Sequence, residues 1–375
     1  MEESSITCAK FINADIALVI CAPERGAVSS NFPHWLSPDQ QGDSSCPYRL
    51  STLESRGFSS IIRKTMNRKI AVVLLATIAS ALATPDVPRP DHIVVVIDEN
   101  HSWRDVIGSG LAPYIDSLAA DIGVNGHTAA MTRSFGTAPG TQPSQPNYLE
   151  LYSGGSQGVT DDYFPPVGSP FRTPNLGREL LDAGLTFKTF SEHLQGQGYS
   201  ARHNPATNWV GNGHNQIPAS TQADFSAFPI NFRTLPTVCY VVPILTHDMH
   251  SPGGNDPVCI PIGDQWLHDN MDAYIQWCKS HNSLFILTFD EGSNSTQGPL
   301  PTLIIGEKVQ PGTYPERARN GISHYSILRT IEDAYDLPHA GAAYAPPPSP
   351  APVAITDIWS ATSFSLTRIR IETSP

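Results

Sequence analysis

Three short clusters place metal-binding or acid–base groups at separated points of the chain: Asp98-Glu99-Asn100-His101, His247-Asp248-Met249-His250 and Asp290-Glu291-Gly292. Carboxylates gathered at one place repel one another, and a divalent cation is the usual remedy. Carboxylate, amide and hydroxyl oxygens suit a hard ion such as Ca, Mg or Mn, whereas the imidazoles admit Zn. A nucleophile is offered between the first two clusters, in Thr141-Gln142-Pro143-Ser144-Gln145-Pro146-Asn147-Tyr148. Pro146 suits the first position of a helix that continues through 149–152, which puts Ser144 at or just before its cap. Such a helix start presents N–H groups and a positive dipole end to an anion such as phosphate. A metal beside Ser144 would lower the pKa of its hydroxyl and replace the missing general base.

These groups converge only if the elements before them do. Each cluster follows a continuous apolar run, 93–97, 238–242 and 284–289, of the kind expected for strands buried on both faces. In an open parallel sheet the carboxyl ends of the strands face a common crevice. Further strands are expected at 185–190 and 302–305. Helices are expected at 111–120, 176–183 and 264–281, with another after Ser323 as cap. Strand–helix alternation of this kind predicts a three-layer α/β sandwich around a largely parallel central sheet. Two long loops, 154–174 and 196–229, are of a length that usually builds or covers a site.

The whole chain has 375 residues and a formal net charge of −12, with no basic cluster. This disfavours a nucleic-acid partner. Met66-Asn67-Arg68-Lys69, the apolar run 70–83 and the ending Ala81-Leu82-Ala83 supply the three parts of a secretory signal peptide. The expected organisation is an upstream extension (1–65), a signal peptide (66–83), a catalytic domain (84–341) and a Pro-rich tail (342–375), with a secreted or extracytoplasmic product. Cys239, Cys259 and Cys278 allow one disulfide and one free thiol, and the sequence does not choose the pair. Asn294-Ser295-Thr296 and Asn100-His101-Ser102 are formal glycosylation sequons. The second follows a buried strand, where modification is not expected.

The strings IDENHS (97–102), PSQPNYLELYSGGSQGVTDD (143–162), HDMH (247–250), TFDEG (288–292) and SHYSILRTIED (323–333) resemble the phosphoesterase family of bacterial-type acid phosphatases and phospholipases C, within the alkaline-phosphatase superfamily. The resemblance covers about residues 91–340, with the motifs in family order. It implies an alkaline-phosphatase-like α/β sandwich and metal-dependent hydrolysis of phosphate esters through a phosphoserine intermediate. Carried onto this chain, it implies Ser144 as nucleophile and metal contact, Glu99 and Asn100 as first ligands, and Asp290 with Glu291 as the later acidic pair. His247, Asp248, His250 and His324 resemble the remaining ligands or phosphate-contacting groups. Many relatives carry Asp where this chain has Glu291, which keeps the charge but lengthens the arm.

Two other readings compete. Gly154-Gly155-Ser156-Gln157-Gly158 fits the G-x-S-x-G elbow of serine esterases, with Asp248 or Asp290 and His324 in the right chain order. That elbow needs a strand before it, and here a helix is expected. A secreted binding protein would have lost part of the constellation, and no loss is visible. Within the phosphoesterase reading, the ENHS form and short chain favour an acid phosphatase acting on phosphomonoesters over a phospholipase C. A phospholipase, or any contact with a lipid surface, needs an apolar rim, which Trp209, Ile217, Phe225, Phe228 and Phe232 supply unless they belong to the core. Oligomeric state is not legible.

Overall fold

The computed structural model describes the backbone of residues 6–13 and 16–23, and residues 87–136, 143–251, 257–293, 298–314, 321–341 and 353–360 in full. The signal-peptide span, the rest of the upstream extension and the sequon at Asn294 lie outside the described residues. Strands β1 (Ile6–Asn13) and β2 (Ile16–Pro23) pair antiparallel within the extension.

The residues from 87 onward are built on an eight-stranded sheet. Its strands are β3 (His92–Asp98), β4 (Thr128–Ala130), β6 (Phe187–Ser191), β7 (Gln222–Asp224), β8 (Val238–Val242), β9 (Ser283–Phe289), β10 (Leu303–Gly306) and β11 (Gly312–Thr313). They lie in the order β11-β4-β10-β9-β3-β8-β6-β7. Strand β10 alone runs against its neighbours, and the remaining pairings are parallel. Two short strands, β5 (Ser134–Phe135) and β12 (Ile322–Ser323), pair separately.

Alternation along β3 explains the layers. Ile93, Val95 and Ile97 face one core, formed with helices α3 (Ser144–Ser153), α4 (Leu176–Asp182) and α6 (His324–Ala334). Val94 and Val96 face the other, formed with α1 (Trp103–Val106), α2 (Pro113–Ala119) and α5 (Ile260–Cys278). Period-2 side chains with both faces covered give the expected three-layer sandwich. Each such Val or Ile contributes about 1.5–3 kcal/mol by leaving water.

Three differences from the sequence reading have simple causes. Helix α3 starts at Ser144, not at Pro146, with Pro143 as cap. A proline fits the third helical position as well as the first, because the first four N–H groups have no helical partner. Residues 353–360, assigned to the tail, pack back on the core: Ile355 and Ile358 are fully buried, and the Ile355 N–H donates to Thr330 Oγ1 at 2.8 Å. The aromatic residues 209–232 form no open rim. Trp209 and Ile217 are fully buried, and Phe225, Phe228 and Phe232 pack around Trp266, Tyr274 and Trp277. Cys239 and Cys278 are buried free thiols, and burial pushes the Cys278 thiol up to about 12.

Packing between α5 and the turn after β8 fixes one of the chemical clusters. A methyl added at Gly263 would overlap Met249 Cγ and stand 2.9 Å from the His247 carbonyl oxygen. Gly263→Ala should therefore destabilise the domain by about 1–3 kcal/mol, overriding the helix preference of alanine. Because the displaced turn carries Asp248, the same variant should also bind divalent metal more weakly. Thermal melting and metal titration check the two effects.

Candidate active site

Strands β8, β3 and β9 are neighbours and parallel, so their carboxyl ends share one edge of the sheet. Backbone hydrogen bonds hold the chain together just past that edge. The Glu99 N–H donates to the Asp248 carbonyl at 2.8 Å, and the Asp290 N–H to the Asp98 carbonyl at 3.0 Å. Asn100 turns the chain with φ of 53°, in the left-handed region that Asn tolerates better than most residues. Its N–H donates to Asp290 Oδ1 at 3.0 Å, an oxygen that also accepts the Glu291 N–H at 2.6 Å.

Ser144 reaches this edge from the first turn of α3, a helix buried along its whole length. The helix ends at Gly154, whose φ of 69° forms a left-handed cap. The Ser144 hydroxyl donates to Glu99 Oε2 at 2.9 Å and also interacts with Asp290. Seven residues of the sequence-derived constellation are therefore together: Glu99, Asn100, Ser144, Asp248, His250, Asp290 and Glu291. Glu291 accepts from Asn147 Nδ2 at 3.3 Å. His250 is half-buried beside Asp248, its N–H donating to Asp248 Oδ1 at 2.9 Å.

His324 opens α6 against the end of β9, with Nε2 2.9 Å from the Phe289 carbonyl. That bond requires the proton on Nε2, which leaves Nδ1 as a bare acceptor, buried and without a hydrogen-bond partner. A backbone carbonyl fixing one ring nitrogen while the other offers a lone pair is the usual posture of a ligating histidine. Burial holds its pKa down to about 4, so the ring is neutral. His247 behaves differently. It turns to Glu192, with Nδ1 2.8 Å from Oε2, and stacks on Trp266.

His203 was not picked out by the sequence. Its Nε2 lies 3.2 Å from Glu99 Oε1 and its Nδ1 2.9 Å from Asp248 Oδ2. Glu99, His203 and Asp248 offer ligand atoms all within 4.8 Å of one another. The Tyr148 ring stacks on His203 at 5.1 Å between centroids and fixes its plane. The only signal in the sequence was the length of the loop that carries it.

These residues fit a divalent cation. Asp98 Oδ2, Asn100 Oδ1 and Asp290 Oδ2 are buried without hydrogen-bond partners, and unpaired buried polar atoms are costly unless something else satisfies them. Burial, followed by the charges of Asp290 and Asp248, raises the Glu99 pKa well above the usual carboxylate range. Asp290 is raised to about 7 by burial, against the opposing N–H bonds. Glu291 is raised to about 9 by burial and then by Asp290. A site that holds carboxyl groups against ionisation to this degree is set to exchange their protons for a metal.

The family model described as the Phosphoesterase family matches residues 124–338. The chain belongs to that family and is a hydrolase acting on phosphoric esters. Phosphatidylinositol-3-phosphatase of Mycobacterium tuberculosis is 39% identical over 305 residues, covering 77% of this chain and 91% of that protein. A probable acid phosphatase of Kluyveromyces lactis is 25% identical over 54% of this chain, which spans 50% of its length. A solved structure in the alkaline phosphatase superfamily, from Vibrio parahaemolyticus, aligns at 15% identity with a TM-score of 0.47, covering 67% of this chain and 68% of that one.

The raised carboxyl pKa values fix the sign of a pH effect. A carboxyl whose folded pKa exceeds its unfolded value favours the folded state when protonated, and that stability is lost as pH rises. The window runs from the unfolded values near about 4 up to about 7 for Asp290 and about 9 for Glu291. Chelator-treated protein should melt at lower temperature at pH 8 than at pH 5, and added divalent metal should remove the difference. A metal-free melting temperature that rises across this range would contradict the reading.

Proposed function

We propose that the chain is a metal-dependent phosphomonoesterase of the acid-phosphatase type, working through Ser144. The observation that carries this is the seryl hydroxyl at the start of a buried helix, directed onto Glu99 within the metal-fitting cluster. Glu99, Asn100, Asp290, His203 and Asp248 would hold the cation, which supplies charge neutralisation for the phosphoryl group and a lower pKa for the hydroxyl. Ser144 Oγ bonds to phosphorus while the ester oxygen departs, and its proton passes along the existing hydrogen bond to Glu99. Water then releases phosphate from the phosphoseryl group. At the start of α3 the Ser144 N–H would face the phosphate oxygens, since the Gln145 N–H is held by Asp162 and Pro146 has none. His324, kept neutral by burial with its N–H on the Phe289 carbonyl, would offer its bare Nδ1 to the cation, and the half-buried His250 would serve the phosphate and the departing oxygen.

The names of the relatives support a monoester over a diester. They also bring a phosphorylated lipid headgroup into the substrate range, because the 39% identical relative is a phosphatidylinositol-3-phosphatase. The serine-esterase reading loses its structural support, since Gly154 caps a helix where the elbow needs a strand. We further propose export after cleavage near Thr84, on the basic–apolar–small pattern of 66–83. N-terminal sequencing of exported protein decides this, and a start at Met1 would refute it.

Ser144→Ala should lower kcat on an aryl phosphate by several orders of magnitude without changing the melting temperature, because a nucleophile and its activator act as a unit. Ser156→Ala should leave the rate close to wild type. Exhaustive chelation should abolish the activity, and a divalent metal should restore it. Chelator-insensitive hydrolysis of a carboxylic ester that depends on Ser156 would overturn the proposal. So would accumulation of no phosphoserine at Ser144 on acid quench.

A further inference from the structure

The segment 161–170 begins beside the nucleophile and exposes three of its apolar side chains to solvent. Tyr163 is 71% exposed and Val167 93%, with Phe164 at 39% between them. Among the described residues Val124, Ile230 and Val353 are also exposed, each apart in the sequence, and Val258 and Ile262 are a less exposed pair at the start of α5. Three within five residues, on a stretch with no charge from 163 to 170, form a patch.

Both ends of this segment are fixed. At its start, Asp162 Oδ1 accepts the N–H of Gln145 at 2.9 Å, and Gln145 Nε2 donates to the Tyr163 carbonyl at 3.4 Å. Gln145 is the residue after Ser144. Asp162 also pairs with Arg202 at 3.9 Å and lies close enough to Glu291 and His250 to interact with their charges. At its far end, the Phe171 N–H donates to the Asn208 carbonyl at 2.7 Å, and its ring packs on Trp209. The exposed tip is therefore held rigidly at the rim of the site.

We propose that this loop is a wedge that seats the enzyme on a lipid bilayer, so that the substrate is a phosphomonoester carried on a lipid headgroup. The inference rests on the phosphomonoesterase reading above and adds the surface on which that activity works. An uncharged tip bearing Tyr, Phe and Val has the composition that partitions into the interfacial layer of a membrane. The nucleophile lies below the surface, with Ser144 only 3% exposed. A terminal phosphate on a projecting headgroup can enter that depth, whereas the diester next to the glycerol lies in the plane of the membrane. With a net charge of −12 the chain is not drawn to anionic lipid by its overall field, so attachment runs through apolar contact and responds little to salt.

The experiment uses the full chain, phosphatidylcholine vesicles with and without phosphatidylinositol 3-phosphate, and a soluble aryl phosphate. Replacing the two most exposed side chains together (Tyr163→Ser with Val167→Ser) should weaken sedimentation with plain phosphatidylcholine vesicles by at least about tenfold. The rate on vesicle-borne lipid should fall in step, while kcat/KM on the aryl phosphate stays within about twofold of wild type, as for other surface changes. Val167→Trp should bind the vesicles more tightly than wild type. Vesicle binding unchanged in both variants would overturn the proposal, and so would a patch that sedimentation equilibrium shows to be covered by a second copy. Failure of the wild type on aryl phosphate would count against the phosphatase reading alone, because vesicle sedimentation judges the loop without reference to activity.

Discussion

Like charges buried together set the terms for this structure. Glu99, Asp248 and Asp290 are almost wholly removed from water at the ends of three adjacent strands. His203 spans two of them, and the backbone N–H groups of Asn100 and Glu291 share one oxygen of the third. Ser144 and the His250 N–H take one further oxygen each, and Asp290 Oδ2 is buried without a hydrogen-bond partner. Such an assembly is tolerable only when the surrounding elements are stiff enough to hold it, which is the work of two apolar layers packed on opposite faces of β3.

The route by which the nucleophile arrives follows from the same constraint. Helix α3 is buried on every side, so its start cannot move independently of the sheet. Tyr148, one turn after Ser144, stacks on His203, and its hydroxyl lies 3.4 Å from the Ile97 carbonyl. One aromatic ring thus ties the orientation of the helix to the imidazole between two carboxylates. Electrostatics of this kind act with full effect only when preorganised.

The sheet and its catalytic edge were legible in the sequence because their signal is local. The runs 93–97, 238–242 and 284–289 are rich in β-branched and aromatic residues, and each is followed within a few residues by its acidic cluster. Parallel pairing then makes convergence a geometric necessity. His247 and His250 were not separable in the same way, since both belong to one motif. The turn places His250 beside Asp248 and sends His247 to Glu192. His203 was illegible for a different reason. It lies in a loop of short 3₁₀ turns without periodicity, and its role is set by partners 104 residues before it and 45 after it in the chain. The residues 209–232 could be read as rim or as core, because composition does not distinguish a membrane-facing ring from one folded over a core, and the structure places them on the core.

The buried thiols give the domain an internal clock. Cys239 lies in the middle of the sheet on β8 and Cys278 at the end of α5, both shut away from solvent. An alkylating reagent reaches such sulfurs only when the surrounding layer opens, so its rate of reaction measures how often that layer comes apart. The two positions sample different depths of the same core. Comparing their labelling would separate a fraying of α5 from a rupture of the sheet that carries the catalytic edge.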